Sequence, residues 1–425
     1  MKLGALQKFF RGGISRILSG SLVGQGVLLA VSPLLTRLYT PAEFAALAVF
    51  TAFATVLGSV VTLSWDRAIV IPSSEAQARS VLRLGIFSVF ILSGFTAATL
   101  FIYGPDLDST FGVNIFVGLW WLLPVTVAMF GLSNLLYSWF TRRQAYGEIA
   151  ARNAFQGLSQ AISTVGFGFL GVGAAGLLSG AAVGRAVGLL GASPWRRKAS
   201  DETQSWRRLS SVAKRYRRFP LIATWSRSIN VLGLQLPAIL VVAFYGVWEA
   251  GMYALTVKVL ATPIGMVATA VGQYFEGAFA DKLRTRGQGL SSMVLRISRR
   301  LAAVAILPTL FIVIFGPTIF EWTFGEDWRL AGVFAQIVVV FYAFQFSISP
   351  ISRALLVMEK QFLQLFWDIF RMTLMLLAIL VPVATGGTLA HALIAVSVSQ
   401  VVAYIILLSV CYRESLKLEL SFHVR

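Results

Sequence analysis

The protein is a chain of 425 residues, of which 57% are hydrophobic and only 13% are charged. With a mean hydropathy of +0.77, this composition excludes a water-soluble globular surface and requires an exterior that faces lipid. The single cysteine, Cys411, excludes a disulfide framework. The net charge of +18 is typical of basic loops that orient membrane spans and contact anionic headgroups, or of a cationic path for an anionic substrate.

Apolar stretches bounded by charges, glycine and proline recur along the whole chain. A helix rising ~1.5 Å per residue needs about 20 residues to cross ~30 Å of hydrocarbon, which each stretch provides. The first stretch follows a basic N-terminus without a small-residue cleavage site, so we expect a span rather than a cleaved signal. We predict an all-α integral membrane protein with twelve transmembrane helices. The spans are expected near residues 14–36, 44–66, 83–103, 115–140, 154–172, 174–193, 219–244, 251–275, 296–320, 331–357, 363–385 and 388–412.

The distribution of lysine and arginine between the loops predicts the orientation of the chain. If the N-terminus is cytoplasmic, the outer connections carry only Arg37 and Arg329, and all other basic loop residues lie inside. Both termini are then cytoplasmic, and we expect a multi-pass protein of the bacterial cytoplasmic (inner) membrane. Nucleic acid is not an expected partner, because the basic residues are scattered among spans and form no binding module.

The longest connection between spans, residues 194–218, lies close to the middle of the chain and is strongly basic. It is interpreted as a linker on the membrane surface, with a docking site for a cytoplasmic partner as the alternative. A short stretch at 40–48 also matches 246–254, with Glu43 opposite Glu249. This offset predicts a duplication: an N-lobe at 1–193 and a C-lobe at 219–425, two six-helix lobes around a central cavity.

No catalytic constellation is visible in the sequence. His391 and His423 are the only histidines, and neither has the neighbours that a zinc site or a Ser/His/Asp triad requires. No glycine-rich loop follows a strand to cradle a phosphate. We therefore expect a protein that is not an enzyme and needs no metal or cofactor.

Ionisable residues inside the spans are the candidate functional residues, because a lone charge at bilayer depth costs a few kcal/mol or more. The alternative for each is that its long side chain reaches the headgroups. Basic residues dominate this set and the first span contains no acid, which favours an anionic substrate. The candidates are Arg185, Arg227, Lys258 and Arg353.

Two further basic residues inside or beside spans have an acid close by in the sequence. Asp66 directly precedes Arg67, and Asp368 lies three residues before Arg371, a spacing that places both on one helix face. We interpret both as local structural ion pairs near the cytoplasmic surface.

Several motifs along the chain resemble one transporter family. They are R-x-Y-x-P-x-E-F at 37–44, D-R-A-I-x-x-P at 66–72, G-x-Y-A-L at 251–255 and F-G-x-x-W-x-x-A-G at 324–332. In this order they are similar to the polysaccharide-export (Wzx-like) flippases of the multidrug/oligosaccharidyl-lipid/polysaccharide exporter superfamily. The sequence departs from many relatives at Ala45 and Trp65.

The resemblance implies a flippase that moves undecaprenyl-pyrophosphate-linked oligosaccharide from the cytoplasmic to the periplasmic leaflet by alternating access, for O-antigen, capsule or exopolysaccharide synthesis. The expected partners are this anionic lipid-linked oligosaccharide, membrane lipids and polysaccharide-assembly enzymes. Together with the residues that match the family pattern, the expected substrate-binding residues are Arg227, Lys258, Arg185, Arg353, Arg37 and Arg67.

Other functions remain open at this point. A cation-coupled drug or small-molecule exporter of the same superfamily is expected to carry an acid in the early spans, which span one lacks. A membrane component of a polysaccharide polymerase or ligase complex is expected to have an acidic catalytic motif or a large external loop. A scaffold that recruits assembly enzymes through 194–218 is compatible with transport, and a peptidoglycan-precursor flippase usually has two further spans.

Overall fold

The computed structural model describes residues 13–111, 118–191, 206–285 and 288–423, and every regular element in these ranges is a helix. In chain order the α-helices are α1 (Gly13–Ala30), α2 (Ser32–Leu38), α3 (Pro41–Val60), α4 (Trp65–Ala68), α5 (Glu75–Phe111), α6 (Leu122–Arg142), α7 (Tyr146–Phe169), α8 (Ala174–Gly191), α9 (Trp206–Arg215), α10 (Thr224–Tyr245), α11 (Val247–Thr285), α12 (Leu290–Phe324), α13 (Arg329–Ile348), α14 (Arg353–Val357), α15 (Gln361–Ala384) and α16 (Leu389–His423).

The predicted all-α membrane fold is confirmed. Within the described ranges, eleven helical segments are long and apolar enough to cross a membrane, and large apolar side chains such as Phe362 and Trp322 are exposed on their surfaces. The fifth predicted span corresponds to α7, which is long enough but too polar to satisfy the same criterion. Counting α7, each of the twelve predicted spans coincides with a helix or with a pair of consecutive helices. The chain is a multi-pass membrane protein.

Several helices are longer than the spans predicted from hydropathy. The third span is predicted at 83–103, whereas α5 runs from Glu75 to Phe111. The eighth is predicted at 251–275, whereas α11 runs from Val247 to Thr285. Hydropathy falls where the hydrocarbon ends, but backbone hydrogen bonding continues into the interface. The extra turns therefore lie at the helix ends.

The first turn of the chain has a well-defined local structure. Thr40 and Glu43 form a capping box at the start of α3: Glu43 Oε2 accepts from Thr40 N at 2.7 Å, and Thr40 Oγ1 accepts from Glu43 N at 3.4 Å. The buried Tyr39 hydroxyl donates to the carbonyl of Thr164 in α7 at 2.7 Å. Burial, assisted by the Glu43 carboxylate, raises the pKa of Tyr39 to about 12, so the hydroxyl keeps the proton it donates.

The chain divides into two compact units, Met1–Gly251 and Met252–Arg425. In the first unit α7 packs between α1 and α8, and α10 packs against α3. This packing groups α10, the seventh span, with the first unit. The predicted lobes, 1–193 and 219–425, stay a prediction.

Part of the predicted basic linker is a short helix at the surface of the first unit. Residues 194–205 lie outside the described residues, while α9 packs against α5. Val212 and Tyr216 are buried, whereas Lys214 and Arg215 are exposed. This arrangement of an apolar and a basic face is the one expected of a segment lying at a membrane surface.

The second unit has an apolar cluster at one end, where α11, α12, α15 and α16 meet. Phe275, Phe279 and Leu407 are fully buried in it, together with the free thiol of Cys411. Trp367 is fixed by a hydrogen bond from its Nε1 to the carbonyl of Ala403 at 2.8 Å. The long C-terminal helix is therefore an integral part of this unit.

Glu419, near the end of α16, caps the start of α12. Its Oε1 accepts from Leu290 N at 2.6 Å, and its Oε2 accepts from Ser291 N at 3.3 Å and from the Ser291 hydroxyl. Because Leu290 is fully buried, truncation leaves a buried N–H without an acceptor. We expect Glu419→Ala to lower the free energy of unfolding by about 1.5–3 kcal/mol.

Equilibrium unfolding of the detergent-purified protein measures this change. The control is Ser421→Ala, which removes an exposed hydroxyl from the same helix. A loss below about 0.5 kcal/mol for Glu419→Ala, equal to that of the control, contradicts a capping role.

Candidate functional site

Arg227 is neutralised by an acid from a distant part of the first unit. Its Nη1 donates to Asp66 Oδ2 at 2.8 Å, and Asp66 Oδ1 accepts from Thr62 Oγ1 at 2.7 Å. The side chains of Arg227 and Asp66 are only 18% and 8% exposed. Arg67 is exposed. The predicted pairing of Asp66 with Arg67 is therefore wrong, because the short helix α4 turns the acid inward and its neighbour outward.

The backbone that presents Asp66 is unusual. Leu63 and Ser64 adopt left-handed conformations with φ of 46° and 54°, which non-glycine residues seldom do. The Ser64 hydroxyl accepts from Thr224 Oγ1 at 3.2 Å, and Thr224 follows a five-residue π-helix, Phe219–Ala223. Left-handed residues and π-helical turns are both enriched at functional sites. The ion pair thus lies next to two irregular segments, one after α3 and one before α10.

Arg353 lies on the wall of a cavity in the second unit. The cavity has a volume of ≈ 350 Å³ and is lined by Ile264, Gly265, Ala268, Thr269, Gln345, Ser349, Pro350, Ser352 and Arg353. Arg353 Nη1 donates to Glu276 Oε2 at 2.5 Å. A Cβ on Gly272 would stand 2.8 Å from its Nε, so the side chain lies close against the backbone of α11. The walls therefore offer one guanidinium, one amide and several hydroxyls.

The other two predicted intramembrane cations have different surroundings. Lys258 is half-buried on α11, between Thr256, which donates to the carbonyl of Ala331 at 2.8 Å, and Pro263. Arg185 on α8 lies over the ring of Phe130, with 3.5 Å between its Cζ and the ring centroid. Arg185 also interacts electrostatically with Arg152 of α7.

Arg37 and Arg67, predicted from the family pattern, lie at the surface of the first unit, at the end of α2 and within α4. Among the described residues, neither belongs to a buried cluster. Of the predicted set, the structure gives Arg227 and Arg353 acidic partners and places Arg185 on a helix that packs against the helix of Arg152. The roles of all six in binding stay predictions.

Three residues near the predicted cations, Asp66, Glu276 and Arg152, are not predicted from the sequence to lie there. The sequence pairs Asp66 with its neighbour, places Glu276 at the end of a predicted span, and makes Arg152 a loop residue. For Glu276 a signal exists, because the apolar pattern of α11 continues beyond it to Phe279. For Arg152 the signal is its spacing from two glutamines, Gln156 and Gln160. Residues four positions apart share one face of a helix, so Arg152 continues a polar face of the fifth span.

In the described part of the chain, no three histidine, cysteine, aspartate or glutamate side chains lie close enough to hold a metal ion. What the clusters offer is hydrogen-bond donors and positive charge in membrane helices. This chemistry suits an oxyanion rather than a metal.

A family of known proteins matches most of the length of the chain. A family described as "Polysaccharide biosynthesis protein" matches residues 34–333. The succinoglycan biosynthesis transport protein ExoT of Rhizobium meliloti (strain 1021) is 22% identical over 324 residues, 73% of this chain and 62% of that protein. The chain thus spans less than two thirds of the length of this curated relative.

Solved transporter structures share the fold over almost the whole chain. An inward-facing MATE-family multidrug-resistance transporter of the MOP superfamily superposes with a TM-score of 0.65 at 16% identity, over 96% of this chain and 99% of that one. The lipid II flippase MurJ in an inward closed conformation superposes with a TM-score of 0.67 at 13% identity, over 96% of this chain and 90% of that one. A MOP-superfamily transporter from Pyrococcus furiosus, described by the reverse polarity of its binding pocket, superposes with a TM-score of 0.58 at 17% identity. The match covers 97% of this chain and 98% of that one. At these identities the likeness is one of fold.

Proposed function

The chain belongs to the polysaccharide biosynthesis protein family, and we propose that within it this protein is a flippase for a lipid-linked oligosaccharide. The proposal draws on three supports: the family match, a relative named for succinoglycan transport, and a fold shared with MATE transporters and with the lipid II flippase MurJ. The substrate we propose is undecaprenyl-pyrophosphate-linked oligosaccharide, moved from the cytoplasmic to the periplasmic leaflet of the inner membrane. It serves surface polysaccharide synthesis, alongside assembly enzymes.

The observation that carries this proposal is the position of Arg353 on the wall of a polar cavity within membrane helices. A diphosphate presents oxygens that match the planar fork of a guanidinium, and sugar hydroxyls match the amide and hydroxyl groups of Gln345 and Ser349. A cavity of ≈ 350 Å³ is of the size of small-ligand sites. Glu276 balances the charge of Arg353 when no anion is bound.

In this proposal, the basic side chains bind the substrate and the acidic side chains neutralise them when no substrate is bound. Arg227 and Arg185 in the first unit, and Arg353 and Lys258 in the second, each attract the diphosphate, while the prenyl chain stays in lipid. Asp66 and Glu276 neutralise two of these arginines in the absence of substrate. An incoming diphosphate then competes with each carboxylate for its guanidinium. Arg37 and Arg67, at the surface, are contacts for an arriving or departing headgroup, and alternating access exposes the site to each leaflet in turn.

A cation-coupled drug exporter receives no specific support from the site. The buried acid Asp66 and the partly buried Glu276 both face guanidinium groups. A carboxylate that is already neutralised by arginine attracts a cationic drug weakly.

Removing the charge of Arg353 tests the proposal. In proteoliposomes with labelled lipid-linked oligosaccharide, we expect Arg353→Gln to lower the flipping rate at least about tenfold, since a hydrogen bond to a charged group is worth roughly 1.5–3 kcal/mol. The readout is the fraction of glycan accessible to a membrane-impermeant reagent.

Two further variants make the result interpretable. Arg353→Gln/Glu276→Gln removes both charges and leaves no unpaired acid, so its flipping rate separates a lost binding contact from a destabilised fold. Arg299→Gln removes an exposed arginine from α12 and serves as the matched control. Flipping at the wild-type rate in both Arg353 variants, with normal protein levels, contradicts the proposed site.

A further inference from the structure

Two arginines lie on neighbouring helices of the first unit, α7 and α8, which pack closely against each other. Arg152, on α7, is only 7% exposed, and its Nε is buried without a hydrogen-bond partner. Arg185, on α8, rests against the ring of Phe130 at 3.5 Å. Guanidinium groups are normally found in water or opposite carboxylates, so the buried Arg152, with the half-buried Arg185 on the adjoining helix, needs an explanation.

The packing of α7 on α8 places the stretches that carry the two arginines against each other. A Cβ on Gly188 would stand 2.9 Å from the Cβ of Gln156 and 3.4 Å from the carbonyl oxygen of Arg152. One turn away, a Cβ on Gly184 would stand 2.5 Å from the Cβ of Gln160. Arg185 lies between these two glycines in the sequence, and it interacts electrostatically with Arg152.

The side chains around the arginines on α7 are also polar. Residues 152, 156 and 160 recur at every fourth position and therefore share one face of the helix. Gln156 and Gln160 are partly buried on it. This face supplies amide groups beside the two guanidiniums, which is a set of donors suited to an oxyanion.

The charge of this pair is not balanced as it is elsewhere in the protein. Arg227 has Asp66 at 2.8 Å and Arg353 has Glu276 at 2.5 Å. In the described part of the chain, no carboxylate oxygen lies within 4.0 Å of a guanidinium nitrogen of Arg152 or Arg185. The face of Phe130 offsets the positive charge only in part. Unlike Arg227 and Arg353, the two arginines therefore have no carboxylate partner in the described part of the chain to offset their attraction for an anion.

Reaching the headgroups does not explain the burial of Arg152. Arg152 lies six residues after the start of α7 and Arg185 six residues before the end of α8, which is about 9 Å from the helix ends at ~1.5 Å per residue. An arginine side chain can span much of that depth, yet Arg152 stays buried. Both lie toward the end of the helices that the loop charges predict to be cytoplasmic.

We propose that Arg152 and Arg185 together form an anion site in the first unit that binds an oxyanion of the transported substrate, either its diphosphate or a carboxylate of its glycan. This rests on the proposed function for the identity of the substrate. The site lies on the side from which a lipid-linked substrate is loaded. Arg152 thereby becomes a substrate-contacting residue, paired with Arg185 as a two-guanidinium clamp.

Binding of inorganic pyrophosphate to the full-length protein in nanodiscs tests the site without any transport. We expect Arg152→Gln and Arg185→Gln each to raise the dissociation constant at least tenfold, and the double variant to add little to either. Arg83→Gln, which removes an exposed arginine from α5, is expected to leave it unchanged. Arg152→Lys retains the charge and is expected to recover part of the affinity, which separates binding from misfolding.

Transport assays then distinguish the two sources of the oxyanion. If the pair binds the diphosphate, both variants slow the flipping of neutral and acidic lipid-linked oligosaccharides alike. If it binds a glycan carboxylate, only the acidic substrate is slowed, and pyrophosphate binding is unchanged. Normal pyrophosphate binding together with normal flipping of both substrates overturns the proposal. A wild-type protein that binds pyrophosphate through these arginines but flips no lipid-linked oligosaccharide contradicts the proposed function alone.

Discussion

Replacing Asp66 with alanine is expected to lower the free energy of unfolding by about 3–5 kcal/mol, because it leaves the Arg227 guanidinium buried without a counter-charge. The two side chains are only 8% and 18% exposed, so water replaces the lost carboxylate poorly. Thr62 loses its acceptor at the same time. Denaturant unfolding of the purified protein in detergent, followed by tryptophan fluorescence, measures the loss.

An exposed ion pair provides the control for Asp66. Glu321 and Arg329 lie at 3.0 Å with side chains 36% and 66% exposed, so Glu321→Ala is expected to cost no more than about 1 kcal/mol. The double variant Asp66→Ala/Arg227→Met replaces both charges with apolar groups. We expect its free energy of unfolding to lie within about 2 kcal/mol of the wild-type value. If Asp66→Ala and Glu321→Ala lose the same small amount, the buried pair does not stabilise the fold as inferred.

Replacing Gly157 with leucine is expected to lower the free energy of unfolding by about 3 kcal/mol or more, because the new side chain has no space. A Cβ on Gly157 would stand 2.3 Å from the Cα of Gly24, a backbone atom that cannot move aside without its helix. The same close approach recurs along α1, where a Cβ on Gly20 would stand 2.2 Å from the carbonyl oxygen of Ala150. Small residues of this kind let membrane helices approach closely.

The matched control for this prediction lies on the same helix. A Cβ on Gly166 meets no atom within 4 Å, so Gly166→Leu is expected to change stability by less than about 1 kcal/mol. Thermal unfolding of both variants in detergent gives the comparison. Equal midpoints for the two leucine variants contradict the close approach of α1 and α7.

The class of fold was predictable because membrane spans are marked by length and apolarity. Stretches such as 44–66 and 363–385 are so long and apolar that they can only be interpreted as membrane spans. The ends of helices were less predictable, as α5 and α11 show, since no change in hydropathy marks where backbone hydrogen bonding stops. The division into units was least predictable, because the packing of α10 on α3 depends on surfaces far apart in the chain.

The candidate site was predictable only in part, and for a related reason. Apolar surroundings mark Arg227 and Arg353 as unusual in the sequence itself. Their acidic partners lie 161 and 77 positions away, and nothing local distinguishes Asp66 from an acid that pairs with its neighbour. Arg152 was hidden by its nearness to the basic loop residues Arg142 and Arg143.

Two residues of the first-turn motif have structural explanations. Glu43 completes the capping box of α3, and Tyr39 ties the turn to α7. These two residues of the motif therefore stabilise the local fold of the first turn.

The polarity of α7 has a consequence for how the protein is made. Its glutamines and Arg152 deprive it of the apolar length that lets a helix leave the insertion machinery for lipid on its own. The helix packs on α8, which follows it in the chain, and on α1, which precedes it. We therefore expect α7 to enter the bilayer together with α8, as a hairpin that packs against α1.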